Sequence, residues 1–370
     1  MSGRVLITGG AGFIGSHVAD HLLTLGYEVR ALDSLVEQVH GAVERPEYLS
    51  AEVELQVGDV RDRTTVDRAL EGVDSVVHFA ARVGVGQSMY EIADYTSVNS
   101  TGTAVLLEAM LDRPVAKLLV ASSMSVYGEG RYVSTRGREV PAVDRDAAQL
   151  ERGQWDPHGP RGEQLEPVPT PECKRVSLSS IYALNKYEQE RMCLLFGCSY
   201  DVSTVAFRFF NVYGPYQALS NPYTGVLAIF AGRLLNQKPP LMFEDGRQRR
   251  DFVHVTDVAR ACGLALERDG ADGQVVNVGS GNSYSVCEIA DRLARVMGKT
   301  IEPQITGKYR VGDIRHCFAD ISLASETLGF EPRVDLDDGL AGLAAWLEGQ
   351  VATDRVDDAT AELTARGLTR

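Results

Sequence analysis

The first 125 residues alternate short apolar runs with stretches of helical periodicity. Strands are predicted at Arg4 to Thr8, Glu28 to Leu32, Glu54 to Val57, Val73 to His78 and Lys117 to Ala121, with a helix from about Phe13 to Leu25 after the first. Strands spaced in this way and separated by helical stretches describe βαβ units, which in series build a parallel, doubly wound α/β sheet. Between Gly128 and about Ser179 the pattern collapses into Gly, Pro and charge, as in residues 154–162 and 167–171. A structureless stretch of about 50 residues is uncommon inside a compact domain and usually marks a functional loop or lid. Residues from about 129 to 178 are therefore read as an insertion, expected to cover a ligand. Periodicity resumes with a helix from Ile181 to about Phe196 and a strand from Asp201 to Phe209. Helices follow at about Val226 to Leu235, Val286 to Met297 and Leu336 to Leu347, and strand signals at Asp251 to Val255 and Gln274 to Val278.

Composition narrows the classes. The chain of 370 residues is 44% hydrophobic and 24% charged, which excludes wholesale disorder, collagen-like and coiled-coil architectures. Acids outnumber bases 51 to 37, a net charge of −14, which argues against a nucleic-acid or membrane-surface partner. A small anionic substrate stays compatible if local basic residues receive it. Apolar runs fall short of the roughly 18 residues of a membrane span, and Val5-Leu6-Ile7 already reads as strand, so the cytoplasm is the expected location. The six cysteines are scattered without a CxxC, so neither a metal centre nor a disulfide framework is expected.

Thr8-Gly9-Gly10-Ala11-Gly12-Phe13-Ile14-Gly15 directly follows the first strand and opens the first helix. Gly9 and Gly12 permit a tight turn and close approach of backbone to a pyrophosphate, Gly15 permits packing of helix on strand, and the helix N-terminus receives the anion. Three glycines can also simply make a turn, but Asp33 stands at the end of the second strand, where an acid binds the adenosine ribose. A carboxylate there favours NAD over NADP, since it repels a 2′-phosphate and no basic residue follows within Ser34-Leu35-Val36. Asp59 and Val60 after the third strand, and Ala80 and Ala81 after the fourth, are expected to flank the dinucleotide. The expected organisation is a dinucleotide-binding domain over 1–213, a smaller mixed substrate domain over 214–350 with segments at about 250–280 returning to the first, and a loosely helical or disordered tail over 351–370.

Tyr182-Ala183-Leu184-Asn185-Lys186 puts a phenol and an ammonium on one helical face, and the ammonium and an oxidised nicotinamide ring are both expected to favour the phenolate needed for acid–base work. Ser122-Ser123-Met124-Ser125 leaves the C-terminal end of a strand, where open α/β sheets place their ligands. Such serines can equally cap a turn.

These motifs, with Asn99, Arg208-Phe209-Phe210-Asn211, Arg250-Asp251-Phe252 and Arg310-Val311-Gly312-Asp313, occur in an order that resembles the extended short-chain dehydrogenases/reductases of the nucleotide-sugar epimerase/dehydratase group. The resemblance covers about residues 4–347 apart from the insertion. It implies a Rossmann sheet, bound NAD, a catalytic set of Ser123, Tyr182 and Lys186, and cofactor contacts from Gly9, Gly12, Phe13, Ile14, Gly15, Asp33, Asp59, Val60, Ala80, Ala81, Asn99, Tyr182 and Lys186, the last holding the nicotinamide ribose. It further implies that Ser123, Ser125, Tyr182, Asn211, Arg250 and Arg310 hold a nucleotide-diphosphate sugar, and that helices around Gly102 to Met110 and Ile181 to Phe196 form a homodimer.

Two departures sort the group. Where its 4,6-dehydratases carry an Asp-Glu pair this chain has Met124 and Ser125, and where its decarboxylases carry Glu it has Ser125. The expectation is an epimerase that oxidises C4, turns the 4-keto sugar about its diphosphate tether and reduces the other face. The insertion is similar to that of the dTDP-L-rhamnose 4-epimerases, which makes dTDP-L-rhamnose, converted to dTDP-6-deoxy-L-talose, the first substrate to consider. UDP-hexoses and UDP-uronates are the alternatives, as are a 4-keto reductase and a non-catalytic dinucleotide sensor. Some relatives carry a CxxC in the insertion where this chain has His158 and Arg161, so no metal is expected there. Cys317 matches a position that borders the sugar pocket in UDP-hexose 4-epimerases, and reads equally as a packed strand cysteine.

Overall fold

The computed structural model describes residues 3–370 apart from 42–43, 142–143 and 224. Seven parallel strands form the central sheet in the spatial order Val275–Val278, Ser203–Phe209, Lys117–Ser123, Ser75–His78, Arg4–Thr8, Glu28–Asp33 and Glu54–Val57. Arg4–Thr8 pairs with Glu28–Asp33 on one side and Ser75–His78 on the other, so the strand order reverses there. Such a reversal opens a crevice beyond the strand C-termini. Both faces of the sheet are covered: Val5 and Ile7 pack with Val18 and Leu22 of the helix Phe13–Thr24, whereas Leu6 packs on the opposite face with Leu106, Met110 and Leu194. Burial on both sides is why these strands read as unbroken apolar runs.

A third apolar cluster lies beyond the sheet, where Leu227 and Phe230 of Val226–Leu235, Ile289 and Leu293 of Val286–Val296, and Leu340 and Leu343 of Leu336–Leu347 meet. Ser285 starts the second of these helices with a capping box closed by Glu288. The strand expected at Asp251 to Val255 is Phe252–His254, and it pairs with Asn211–Tyr213 in a separate two-stranded ladder. Asp251 anchors it by accepting the backbone N–H groups of Ser280 (2.6 Å) and Gly281 (3.0 Å).

The segment read as structureless is ordered. Arg131–Ser134 pairs antiparallel with Leu165–Val168, and Ala147–Glu151 is a short helix; residues 142–143 of the insertion lie outside the described set. Its fastening is ionic and long-range, which apolar periodicity does not register. Arg145 reaches Glu244 (2.6 Å) and the Asp313 carbonyl (2.7 Å), while Asp156 takes the Arg315 guanidinium (2.8 Å). Arg315, only 1% exposed, is also held by Glu244 and Asp245. The tail is ordered too: Val356–Ala365 is a helix, and Thr369 beyond it bridges antiparallel to Arg310. Among the described residues no helix is long and apolar enough to cross a membrane, and no group of three or more His, Cys, Asp or Glu is placed to hold a metal.

Candidate active site

A cavity of about 830 Å³ opens at the strand reversal. Its floor is the glycine turn. Gly9 adopts φ +71°, and a Cβ there would lie 2.9 Å from the Ala80 nitrogen, so only glycine fits. A Cβ on Gly15 would lie 2.3 Å from the Gly9 carbonyl oxygen. Gly10, which the motif reading passed over, is equally constrained, with a Cβ falling 2.7 Å from that of Ala31. Gly12 is the N-cap of the helix Phe13–Thr24 and supplies no side-chain cap, leaving the first-turn N–H groups for an anion.

Asp33 ends its strand with one carboxylate oxygen accepting the Ala11 N–H (3.0 Å) and the other the Leu35 N–H (2.9 Å). The fold also brings His40 to 3.5 Å from this carboxylate, a basic neighbour seven positions on that the local sequence window did not reach. Asp59 is paired with Arg61 (2.6 Å), and Phe13, Ile14, Val60, Ala80 and Ala81 line the same wall. A backbone cradle that a Cβ would fill, an uncapped helix start and an oriented carboxylate fit a dinucleotide such as NAD. Asn99 does not line the cavity. It is fully buried, its carbonyl oxygen accepting the Arg82 N–H (2.7 Å) and its amide donating to the Arg82 carbonyl (3.1 Å), so both of its polar atoms are spent on the loop after the fourth strand.

Ser123, at the end of the strand Lys117–Ser123, accepts hydrogen bonds from the Ser125 backbone N–H (3.1 Å) and hydroxyl (2.9 Å). The accepting side of Ser123 is thereby filled, and its own proton points elsewhere. Ser180 caps the helix Ile181–Tyr200 through the Ala183 N–H, and the Tyr182 N–H donates to Ser88 Oγ (3.0 Å), which sets the Tyr182 ring at the cavity wall. Burial raises the Tyr182 pKa above that of a free phenol, against an opposing hydrogen bond with Ser123. Lys186 is itself desolvated, which lowers its pKa to about 8, and its Nζ donates to Gln189 Oε1 (2.8 Å). Gln189, one turn from Lys186, continues the chain to Thr103 (2.9 Å) and His78, whose burial lowers its pKa to about 3 and keeps the ring neutral.

Motif residue Arg208 stays out of the cavity. It forms a buried pair with Glu190 (2.8 Å), and Glu190 accepts from the Ser122 hydroxyl (2.7 Å), tying the loop of Ser123 to the helix of Tyr182. At the far end of the cavity Arg310 bonds Asp313 (3.1 Å) and Arg250 lies 3.7 Å from the same carboxylate. Burial works to raise the Asp313 pKa, but Arg310, Arg250 and Arg145 outweigh it and hold the carboxyl below its ordinary value. The buried amide oxygens of Asn211, Gln217 and Gln248, all lining the cavity, lack a hydrogen-bond partner. Two guanidiniums suit an anionic group, and the unspent amide oxygens suit hydroxyl or N–H donors of the same ligand.

One expectation is corrected here, and the open choice between two readings of Cys317 is decided. Among the described residues the insertion contributes nothing to the cavity lining; it is clamped behind Asp313 instead. Cys317 is 1% exposed and packs with Met124, Tyr127 and Phe210, so it is a core cysteine and not a wall of the cavity. The tail, by contrast, lines the cavity through Val356, Ala359, Thr360, Leu363 and Leu368, which no local signal announced.

Comparison with known proteins agrees with this layout. Residues 5–279 match the model of the NAD dependent epimerase/dehydratase family. The dTDP-L-rhamnose 4-epimerase of Burkholderia thailandensis is 35% identical over 353 residues, covering 93% of this chain and 94% of the relative. The crystal structure of Thermus thermophilus UDP-glucose 4-epimerase in complex with NAD superposes with a TM-score of 0.74 at 31% identity, covering 94% of this chain and all of that one. The Thermotoga maritima UDP-glucose 4-epimerase with UDP-glucose gives 0.76 at 30% identity, covering 93% and 98%. The chain is an enzyme of the NAD-dependent epimerase/dehydratase family, built on a Rossmann sheet with NAD as its cofactor.

Proposed function

We propose that this enzyme inverts C4 of a nucleotide-diphosphate sugar, with dTDP-L-rhamnose as the substrate and dTDP-6-deoxy-L-talose as the product. The observation that carries the reaction class is the joint lining of one cavity by Ser123, Tyr182 and Lys186, the Gly9–Gly15 cradle and the Arg250/Arg310 pair, with apolar Met124 where water loss needs an acid. Bound NAD would supply a positively charged ring that takes up the C4 hydride and gives it back. Tyr182 takes the proton of the 4-hydroxyl and returns it, and the Ser123 hydroxyl, which is hydrogen-bonded with Tyr182, helps to hold that proton between them. Lys186 holds the nicotinamide ribose. Arg250 and Arg310 keep the diphosphate in place while the 4-keto sugar turns and offers its other face.

The 35% identity to the Burkholderia enzyme supports the choice of sugar, and the identities of about 30% to UDP-glucose 4-epimerases supply the second reading. The test is to incubate purified protein, without added cofactor, with dTDP-L-rhamnose, UDP-glucose and UDP-glucuronate in turn and to follow the C4 proton coupling by NMR. The expected result is a C4-epimeric mixture from dTDP-L-rhamnose, lost in Tyr182→Phe. Epimerisation at the wild-type rate by Tyr182→Phe would refute the mechanism, and turnover of a UDP-sugar alone would replace the substrate. Net formation of NADH would point to a dehydrogenase.

A further inference from the structure

The last twenty residues are tied down at both ends. Asp354, buried, takes Lys238 Nζ (2.8 Å) and Arg233 (3.4 Å), and Asp357 takes Arg233 (2.7 Å). After the helix Val356–Ala365 the chain turns at Gly367 (φ +72°) and runs antiparallel to 309–311. There the Tyr309 N–H donates to the Arg370 carbonyl (2.8 Å), the Arg370 N–H donates to the Tyr309 carbonyl (3.0 Å), and the Val311 N–H donates to the Leu368 carbonyl (2.9 Å). Arg310 is thus enclosed in a two-stranded ladder with the tail.

Between these anchors Leu363 faces the cavity and lies against Gly86, where a Cβ would fall 3.3 Å from both of its terminal carbons. Gly86 belongs to the short helix Val85–Ser88, and Ser88 Oγ accepts the Tyr182 N–H (3.0 Å). The tail therefore reaches from the loop beside Tyr182 to the strand of Arg310. Beside it Val83, Val85 and Val311 line the cavity while 44%, 39% and 43% exposed, and the nearby hydroxyls are already bonded, Tyr223 to Tyr90 (2.6 Å) and Thr360 to the Val356 carbonyl (2.8 Å). Arg82, a cation on that side, is already paired with Asp94 (2.6 Å).

We propose that residues 356–368 form a wall of the substrate site and that Leu363 contacts the sugar, selecting a 6-deoxyhexose over a sugar with a hydroxymethyl or carboxylate at C6. The inference rests on the roles proposed above for Tyr182, Arg250 and Arg310, because the sugar ring then spans from its C4 at Tyr182 to its diphosphate at the arginines. A methyl group against Leu363 and the valines gains apolar contact, whereas a hydroxyl or carboxylate there gives up water without a partner.

The test combines binding and hydrogen exchange on the intact enzyme. dTDP-L-rhamnose is expected to slow exchange in both 309–315 and 356–368, whereas dTDP, which lacks the sugar, protects 309–315 chiefly. Leu363→Ala should raise the Kd of dTDP-L-rhamnose about tenfold, the usual discrimination of a hydrophobic contact of this size, and narrow its preference over dTDP-glucose. The Kd of dTDP should change less than twofold, and Leu363→Met should behave as wild type, which separates lost contact from a dislodged tail. Protection at 309–315 without any at 356–368, or an unchanged sugar preference in Leu363→Ala, overturns the wall and leaves the arginine pair standing. Absence of protection at both segments with every nucleotide sugar removes the proposed function and this inference with it.

Discussion

Gly15→Ala isolates the demand that cofactor binding places on the turn. Gly15 sits buried in the first turn of the helix Phe13–Thr24, where alanine is intrinsically the better helix former by about 1 kcal/mol. Against that gain, the new Cβ would lie 2.3 Å from the Gly9 oxygen and 2.7 Å from the Gly10 Cα, both backbone atoms that cannot rotate away. Ordinary contact needs about 3.5 Å, so the helix start and the turn must separate by about 1 Å. Overpacking of this kind costs typically 1–3 kcal/mol, more than the propensity gain. The variant should therefore be less stable than wild type by about 1 kcal/mol in urea unfolding of the cofactor-free protein. Because the displaced atoms are the cradle itself, NAD retained through purification, measured by chromatography of the acid-released nucleotide, should fall at least tenfold, about 1.4 kcal/mol of affinity. Gly12→Ala serves as the comparison, since a Cβ there meets only the Gly9 oxygen at 3.3 Å, and its unfolding free energy should stay within about 0.5 kcal/mol of wild type. A Gly15→Ala protein as stable as wild type and carrying its full complement of NAD would refute the steric argument.

Two further outcomes follow from the buried polar groups. Lys186 has a pKa of about 8 in the folded protein against an ordinary 10.5. Between those values the unfolded chain holds a proton that the native state has released, so stability should rise with pH from about 8 to 10.5. Lys186→Met should flatten that rise in urea titrations of the cofactor-free protein, and an unchanged slope would show that Lys186 does not titrate in this window. Asn99→Ala leaves the Arg82 N–H and carbonyl without their partners and should cost about 2 kcal/mol of stability, with weaker NAD retention as the loop of Ala80 and Ala81 loosens. A change in NAD retention with no loss of stability would return Asn99 to direct cofactor contact.

The parts legible in the sequence were those with a local cause. The strand Arg4–Thr8, the glycine turn and the helix after it were readable because each rests on neighbouring residues: apolar runs, a positive φ, an N-terminus. The helix of Tyr182 and Lys186 was readable for the same reason, its four-residue spacing placing both on one face. Gln189 escaped notice although it lies three residues from Lys186, because its role depends on Thr103 and His78 arriving from elsewhere.

Tertiary structure decided which segments surround the cavity. The insertion of Gly, Pro and charge had the composition of a lid, yet Arg145 and Asp156 find Glu244, the Asp313 carbonyl and Arg315 about 100 to 170 positions away, and these two ion pairs and one hydrogen bond hold it behind the site. The polar tail had the composition of a loose end, yet Asp354 and Asp357 find Arg233 and Lys238, and Leu363 is thereby delivered to the cavity. Asn99 and Cys317, both in matching motif positions, are carried into packing instead. The physical reason is one of range. Backbone propensity and apolar periodicity act over a few residues and are written in order along the chain, so the sequence by itself determined the sheet, the cradle and the reacting face. Charge pairing between distant residues carries no periodic signature, so which segment lines the cavity and which lies behind it is settled only on folding.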